Sequence, residues 1–147
     1  MATDFDRTVR ARTHATHSAI CLAAGKRFSK HLKTCIGPWI TSLYDSDRMV
    51  ARAALQSFND VFDTEKKREI VWEKYTNDVI KYISDVLQNE TARTISKHSR
   101  LDLLMQGDER FMSPEDMDTR FHLVVAMCLS TLSALLGILG RLLVIKG

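Results

Sequence analysis

The pattern in this chain that comes nearest to a metal site is a pair of histidines one helical turn apart. His14 and His17 have a spacing that places two imidazoles on one side of a helix. A metal ion needs further ligands, and neither a nearby acid nor a clustered Cys/His set completes them. The other histidines, His31, His98 and His122, are isolated. A surface or packing role is therefore predicted for the pair, and no metal or other cofactor is expected.

The sequence contains none of the short motifs by which common enzyme classes are identified. A glycine-rich phosphate loop, a GxSxG motif and a pair of acids in an apolar setting are all missing. Three cysteines, an odd number, are scattered among apolar neighbours, which favours a reducing compartment over a disulfide framework. The start MATDFDRTVR has no apolar core of a secretory signal. We expect a cytoplasmic segment that is not itself a catalyst.

Basic residues are the stronger candidates for a functional site. Residues 1–44 contain seven lysines and arginines against two acids, whereas the remaining 103 residues have a net charge of −2. Two interpretations are open: a solvated helix face, or a footprint that reads the phosphate backbone of a nucleic acid by charge and shape. The candidate binding residues are Arg7, Arg10, Lys26, Arg27, Lys30 and Lys33.

Apolar residues recur at helical spacing along almost the whole chain. Helices are predicted over 6–24, 26–44, 46–62, from 65 to about 90, and from 114 onward, with 90–112 irregular apart from a possible short helix. Gly25 is the predicted stop of the first helix, and Ser46, Thr64 and Ser113 are the predicted amino-terminal caps. The chain has the length of one domain, 1–147, and no strand is expected.

Gly37-Pro38 interrupts the apolar stripe of the second predicted helix. Pro38 cannot donate to the carbonyl of Thr34, and its ring crowds the preceding turn. We expect the helix to bend there, with Trp39 and Phe28 buried between neighbouring helices, and Trp72 on an apolar face as well.

A short internal similarity suggests a repeat. Asp6-Arg7-Thr8-Val9 resembles Asp47-Arg48-Met49-Val50, and the offset of 41 residues suits helical-hairpin arrays. Each copy opens an amphipathic helix that needs neighbours to cover it. The predicted fold is all-α, a HEAT/armadillo-like helical hairpin solenoid of about five to seven helices.

The last helix is apolar nearly throughout. From Leu123 to Gly140 it has 18 residues without a charged side chain, close to the length that crosses a bilayer. Serines, glycines and the amphipathic opening at Met117 and Phe121 favour instead a helix buried by neighbouring repeats. We expect no membrane span. If the chain is part of a longer protein, this helix exposes a face for the next repeat, and association through it could follow.

Residues 6–137 resemble the amino-terminal domain of the listerin family in a fungal version. The most specific part is the block GPWITSLYDSDRMVARA, and DERFMSPEDMDTRFHLVV follows at a distance. Listerins are large RING E3 ubiquitin ligases of ribosome-associated quality control, which ubiquitinate nascent chains stalled on separated large (60S) ribosomal subunits. The Cys/His spacing of a RING is absent from this sequence.

The resemblance implies a docking role for this segment. In the family, this end contacts the large subunit, with its rRNA and ribosomal proteins, and lies near a quality-control partner bound to peptidyl-tRNA. Asp45, Asp47 and Arg48 join the six basic residues as candidates because they lie in the family-like block at a turn, where helix capping is the alternative role. The other classes left open are a generic solenoid adaptor that binds proteins only and a protein with a carboxyl-terminal membrane helix. The oligomeric state is left open.

Overall fold

A computed structural model describes residues 6–92, 94–95 and 113–146, and every regular element in these ranges is helical. The elements are α1 (Arg7–Ala24), a 3-10 turn (Gly25–Phe28), α2 (Ser29–Ser42), α3 (Arg48–Val61), α4 (Glu65–Asn89) and α5 (Pro114–Lys146). The predicted all-α class is confirmed. Most of the segment predicted as irregular, 90–112, lies outside the described residues.

Local polar groups set the helix ends. Gly25 ends α1 with a positive φ of 52°, a conformation that suits glycine, and its N–H donates to the carbonyl of Cys21. Thr64 caps α4, as predicted, by accepting from the N–H of Lys67 at 3.3 Å.

The two other predicted caps had different outcomes. The hydroxyl of Ser113 accepts from the N–H of Asp116 at 3.1 Å, and the Asp116 carboxylate accepts from the N–H of Ser113 at 3.4 Å. Ser46 was the wrong choice for α3. The residue after it, Asp47, is the cap and accepts from the N–H groups of Met49 and Val50 at 2.8 and 3.3 Å.

Among the first four helices, the most extensive contacts join helices that are two apart in the chain. Helix α1 lies against α3 and α2 lies against α4, while α5 packs on both α4 and α2. Each helix covers the apolar stripe of its neighbour, which no amphipathic helix can do alone. This order agrees with stacked helical hairpins, and the HEAT-like solenoid stays a prediction.

Trp39 lies at the centre of the core and is 2% exposed. Its ring contacts Phe58 edge-on with a centroid distance of 5.5 Å, Phe62 at 5.7 Å, and His17 of α1 at 4.3 Å. Phe28 and Trp72 are partly buried against the same core. The predicted burial of Trp39 is confirmed, whereas Phe28 and Trp72 contact the core but are only partly buried.

Gly37 has a packing role that the sequence did not reveal. A Cβ built on Gly37 would lie 2.5 Å from both Cβ and Cγ of Tyr82, so the side chain of α4 rests directly on the backbone of α2. Helix α2 continues past Pro38 to Ser42, and the hydroxyl of Ser42 donates to the carbonyl of Pro38 at 2.7 Å. Gly37 therefore lets α2 and α4 approach closely. The bend at Pro38 stays a prediction.

Helix α5 covers the core with one face. Its buried residues are Arg120, Val124, Met127, Cys128, Thr131 and Leu135. Their spacing of three and four places them on one side of the helix. By length and composition alone, the helix over residues 114–141 could also cross a membrane, since an 18-residue window within it has a mean hydropathy of 2.3. A single helix of this kind is weak evidence, because core helices of soluble proteins satisfy the same criterion.

Candidate functional site

The connection between α1 and α2 presents three cations to solvent. Lys26 and Arg27 lie in the 3-10 turn and Lys30 follows in the first turn of α2, and all three side chains are exposed. We call Lys26, Arg27 and Lys30 the basic corner. Among the described residues, no ion pair engages any of the three. The basic corner can therefore offer its full charge to an external anion.

Lys33 lies one turn beyond the basic corner and is also exposed. Its Nζ is 3.7 Å from Oδ1 of Asp78, which joins α2 to α4 across the surface. With the Lys33 side chain 74% exposed, this pair is screened by water and adds little stability. Lys33 can exchange Asp78 for another anion at small cost.

A second group lies at the opposite end of α1, where Arg7 and Arg48 are exposed and Asp47 is half-buried. Arg7 Nη1 is 3.5 Å from Oδ2 of Asp47, which links the start of α1 to the start of α3. The 18 residues of α1 separate Arg7 from the basic corner, a length of about 27 Å at the helical rise of 1.5 Å per residue. The nine predicted residues therefore do not form one contact region. They divide between the two ends of α1.

Arg10 and Asp45 must be corrected as surface candidates. Their side chains are only 4% and 0% exposed. Arg10 donates from Nε to Oδ2 of Asp45 at 2.9 Å and from Nη2 to Oδ1 at 3.2 Å, and Oδ1 also accepts from the N–H of Asp47. This buried fork between guanidinium and carboxylate holds the turn before α3 against α1. Both residues stabilise the fold and are unavailable to a partner on the surface.

The two histidines of α1 point into the protein. His14 is 2% exposed, and no described group hydrogen-bonds its Nε2 atom. His17 packs edge-on against Trp39 and Phe28. Burial lowers the pKa of His14 to about 4 and also lowers the pKa of His17. The geometry is that of packing residues, and in the described ranges no group of histidines, cysteines and acids could hold a metal ion.

Acidification should destabilise the domain through His14. The pKa of His14 is about 4 in the folded protein and 6.5 for an unperturbed histidine, as in the unfolded chain. Between pH 4 and pH 6.5 the unfolded chain therefore binds a proton that the folded protein excludes. Stability present above pH 6.5 is lost as the pH falls, by about 2 kcal/mol at pH 5. Urea denaturation at pH 7 and pH 5 would measure this loss.

The variant His14→Gln should reduce that pH dependence, while His31→Gln, at an exposed position of α2, should leave it unchanged. Burial lowers the pKa of His17 as well, so His17 also makes stability fall with pH. Part of the pH dependence of stability should therefore persist in His14→Gln. Equal losses between pH 7 and pH 5 in the wild type and in His14→Gln would contradict the assignment.

The fold and surface together define an all-α domain with a cluster of exposed positive charge, the basic corner, between α1 and α2. Its polar core pair, Arg10 with Asp45, serves the packing of helices. Clustered positive charge on a surface attracts groups of opposite sign.

Comparison with known proteins identifies the family. Residues 1–143 match the family model "E3 ubiquitin-protein ligase listerin, N-terminal domain", and the chain belongs to this family. Curated listerins from Schizosaccharomyces pombe and Neurospora crassa are 31% and 29% identical to it, each over 92% of the chain. Mouse listerin is 27% identical over 90% of the chain. No solved structure is significantly similar.

The aligned region spans only a small part of these relatives. It covers 8% of the two fungal listerins and 7% of the mouse protein. The chain corresponds to the amino-terminal domain of an E3 ubiquitin ligase family, as the resemblance predicted.

Proposed function

We propose that this domain docks a listerin-type ligase on the large (60S) ribosomal subunit in ribosome-associated quality control. The observation that carries the proposal is the basic corner, where Lys26, Arg27 and Lys30 are exposed and free of ion pairs with described residues. Ribosomal RNA presents dense phosphate, which such a corner binds by charge and shape without reading bases. Family membership supports the choice of partner.

The domain acts here as an anchor in the cytoplasm. A rigid helical stack fixes the position of the basic corner, while the whole ligase would ubiquitinate the stalled nascent chain with parts that lie elsewhere in its sequence. The second exposed group, Arg7 with Arg48, lies one α1 length away and can contact ribosomal proteins or the partner that holds the peptidyl-tRNA. Two separated contacts would fix the orientation of the domain on the subunit as well as its position.

Reversing the charge of the basic corner should weaken binding to large subunits. The variant Lys26→Glu/Arg27→Glu/Lys30→Glu replaces three attractive contacts with repulsive ones, so we expect affinity to fall about tenfold or more at 0.1 M salt. Co-sedimentation with purified 60S subunits measures the change, and circular dichroism should show unchanged helicity.

The matched control is Lys66→Glu/Lys74→Glu/Lys81→Glu, which alters the net charge equally at exposed positions of α4. It should bind nearly as well as the wild type. Wild-type binding should also weaken steeply as salt rises. Equal binding by the two triple variants would reject the basic corner, and salt-independent binding that needs no ribosomal RNA would favour a protein-only adaptor.

A further inference from the structure

The basic corner contains an exposed serine. Ser29 is the first residue of α2 and lies between Arg27 and Lys30 in the sequence, separated from Arg27 by Phe28. Its hydroxyl donates to the carbonyl of Lys26 at 2.8 Å, a bond at the surface that spans only three residues. The hydroxyl is therefore accessible to a modifying enzyme.

The residues before Ser29 have the charge pattern that basophilic protein kinases select. Lys26 and Arg27 precede the serine by three and two residues. Such kinases discriminate among serines by pairing their own acidic residues with basic residues of the substrate. Both side chains are exposed, and no ion pair with a described residue engages them. Lys26 and Arg27 are therefore available for recognition by a kinase.

The other exposed serines in the described ranges lack this pattern. They are Ser46, Ser113, Ser130 and Ser133. Ser46 lies between two aspartates, and Ser130 and Ser133 follow uncharged residues of α5. Ser113 is followed by a proline and does not have basic residues at both preceding positions. Charge recognition would therefore select Ser29 from this set.

The segment before Ser29 is suited to local opening. A serine at the start of a helix must be released from it before a kinase aligns its hydroxyl with the γ-phosphate of ATP. The 3-10 turn that precedes it, Gly25–Phe28, has four residues, none of which is buried. Short turns of this kind have poor hydrogen-bond geometry, and segments with few buried contacts open most readily. Phe28, which packs on His17 with ring centroids 5.5 Å apart, is the contact that must be released.

We propose that Ser29 is a phosphorylation site for a basophilic serine/threonine kinase, and that its phosphate neutralises the basic corner and weakens binding to RNA phosphate. The regulatory part rests on the proposed docking function. In the transfer, the hydroxyl oxygen of Ser29 bonds to the γ-phosphorus of ATP and the bond from that phosphorus to the β,γ-bridging oxygen breaks. ADP leaves, and the hydroxyl proton passes to the catalytic aspartate of the kinase.

The phosphate would lie among the cations that it neutralises. A phosphoserine carries a charge of about −1.5 to −2 at pH 7, so the three cations of the basic corner would be left with a net charge of about +1 to +1.5. Lys26 and Lys33 lie three residues before and four residues after Ser29, spacings that bring side chains together on a helix. Phosphate oxygens bound to these cations compete with an external phosphate. Negative charge in the first turn of α2 suits the helix dipole, so the fold should persist.

Phosphorylation of the 147-residue chain in vitro tests the site. The catalytic subunit of cAMP-dependent protein kinase, a basophilic enzyme, should transfer phosphate from ATP to Ser29, and mass spectrometry of the peptides would locate it. Lys26→Ala/Arg27→Ala should be phosphorylated about tenfold or more slowly, because the recognised charges are gone. Ser29→Ala should lose the phosphopeptide.

Binding of the phosphorylated chain tests the regulation. It should elute from heparin at lower salt than the unmodified chain and should bind purified 60S subunits about tenfold more weakly at 0.1 M salt. Ser29→Glu should shift both measurements in the same direction by a smaller amount. Ser130→Glu makes the same change in charge at an exposed position of α5 and should leave both unchanged. Circular dichroism should show equal helicity in all of these proteins.

The outcomes distinguish this proposal from ribosome docking. Absence of phosphate from Ser29, or phosphorylation that leaves elution from heparin unchanged, overturns the proposal. If the unmodified and phosphorylated chains bind 60S subunits equally well, docking stands and its regulation by Ser29 is rejected. If the unmodified chain does not bind 60S subunits although phosphorylation lowers its elution from heparin, the docking function is rejected and the phosphorylation site is supported.

Discussion

Replacing Asp45 by alanine is expected to destabilise the domain by about 3 to 5 kcal/mol. Asp45 and Arg10 are buried, and the carboxylate accepts two hydrogen bonds from the guanidinium at 2.9 and 3.2 Å. Without the carboxylate, the buried guanidinium loses two hydrogen bonds and the negative charge of Asp45, where water cannot replace them. Urea denaturation followed by circular dichroism would measure the loss.

Two variants separate the buried pair from surface charge. Arg7→Ala removes the exposed link to Asp47 at 3.5 Å and should cost less than about 1 kcal/mol. Arg10→Met/Asp45→Asn removes both charges while keeping an acceptor for the N–H of Asp47, so it should be less damaging than Asp45→Ala alone. A cost for Asp45→Ala no larger than that of Arg7→Ala would contradict this account.

Replacing Gly37 by alanine is expected to cost about 2 to 3 kcal/mol. The new methyl group would lie 2.5 Å from Cβ and Cγ of Tyr82, and Cβ is bonded directly to the backbone of α4, so rotating the side chain cannot relieve the clash. Helices α2 and α4 must then separate, which loosens the core around Ile36 and Val79. The higher helix propensity of alanine offsets only about 1 kcal/mol of this loss. Thermal and urea denaturation would both show it.

Gly137→Ala is the matched control on another helix. No atom lies within 4 Å of its added methyl group, so the substitution should be neutral or stabilise α5 by up to about 1 kcal/mol. The opposite signs expected at positions 37 and 137 separate close packing from helix propensity. If Gly37→Ala were as stable as Gly137→Ala, the contact with Tyr82 would not limit the spacing of α2 and α4.

Local sequence patterns predicted most of the secondary structure. The predicted boundaries of α1, α3 and α4 lie within two residues of those observed, because apolar periodicity and polar caps act over single helical turns. The cap of α3 was misassigned by one residue, since Ser46 and Asp47 are both good caps and only the backbone conformation distinguishes them.

The candidate site was predicted less completely. Lys26, Arg27 and Lys30 follow a glycine stop at a helix end, and such connections lie on the surface, so their exposure could be expected from the sequence. Arg10 has the same residue type and lies in an equally basic stretch, yet it is buried. Charge pattern alone does not distinguish an arginine that faces solvent from one that pairs inside the fold.

The amino-acid sequence by itself determined the main helices, most of their caps, the positive charge of the first third and membership of the listerin family. Tertiary structure alone decided that Arg10 meets Asp45, that Tyr82 rests on Gly37, and that the basic residues divide between the two ends of α1. The physical reason is distance along the chain. Helix formation and capping depend on neighbours within a few residues, whereas these contacts join helices that meet only when their apolar faces are buried together.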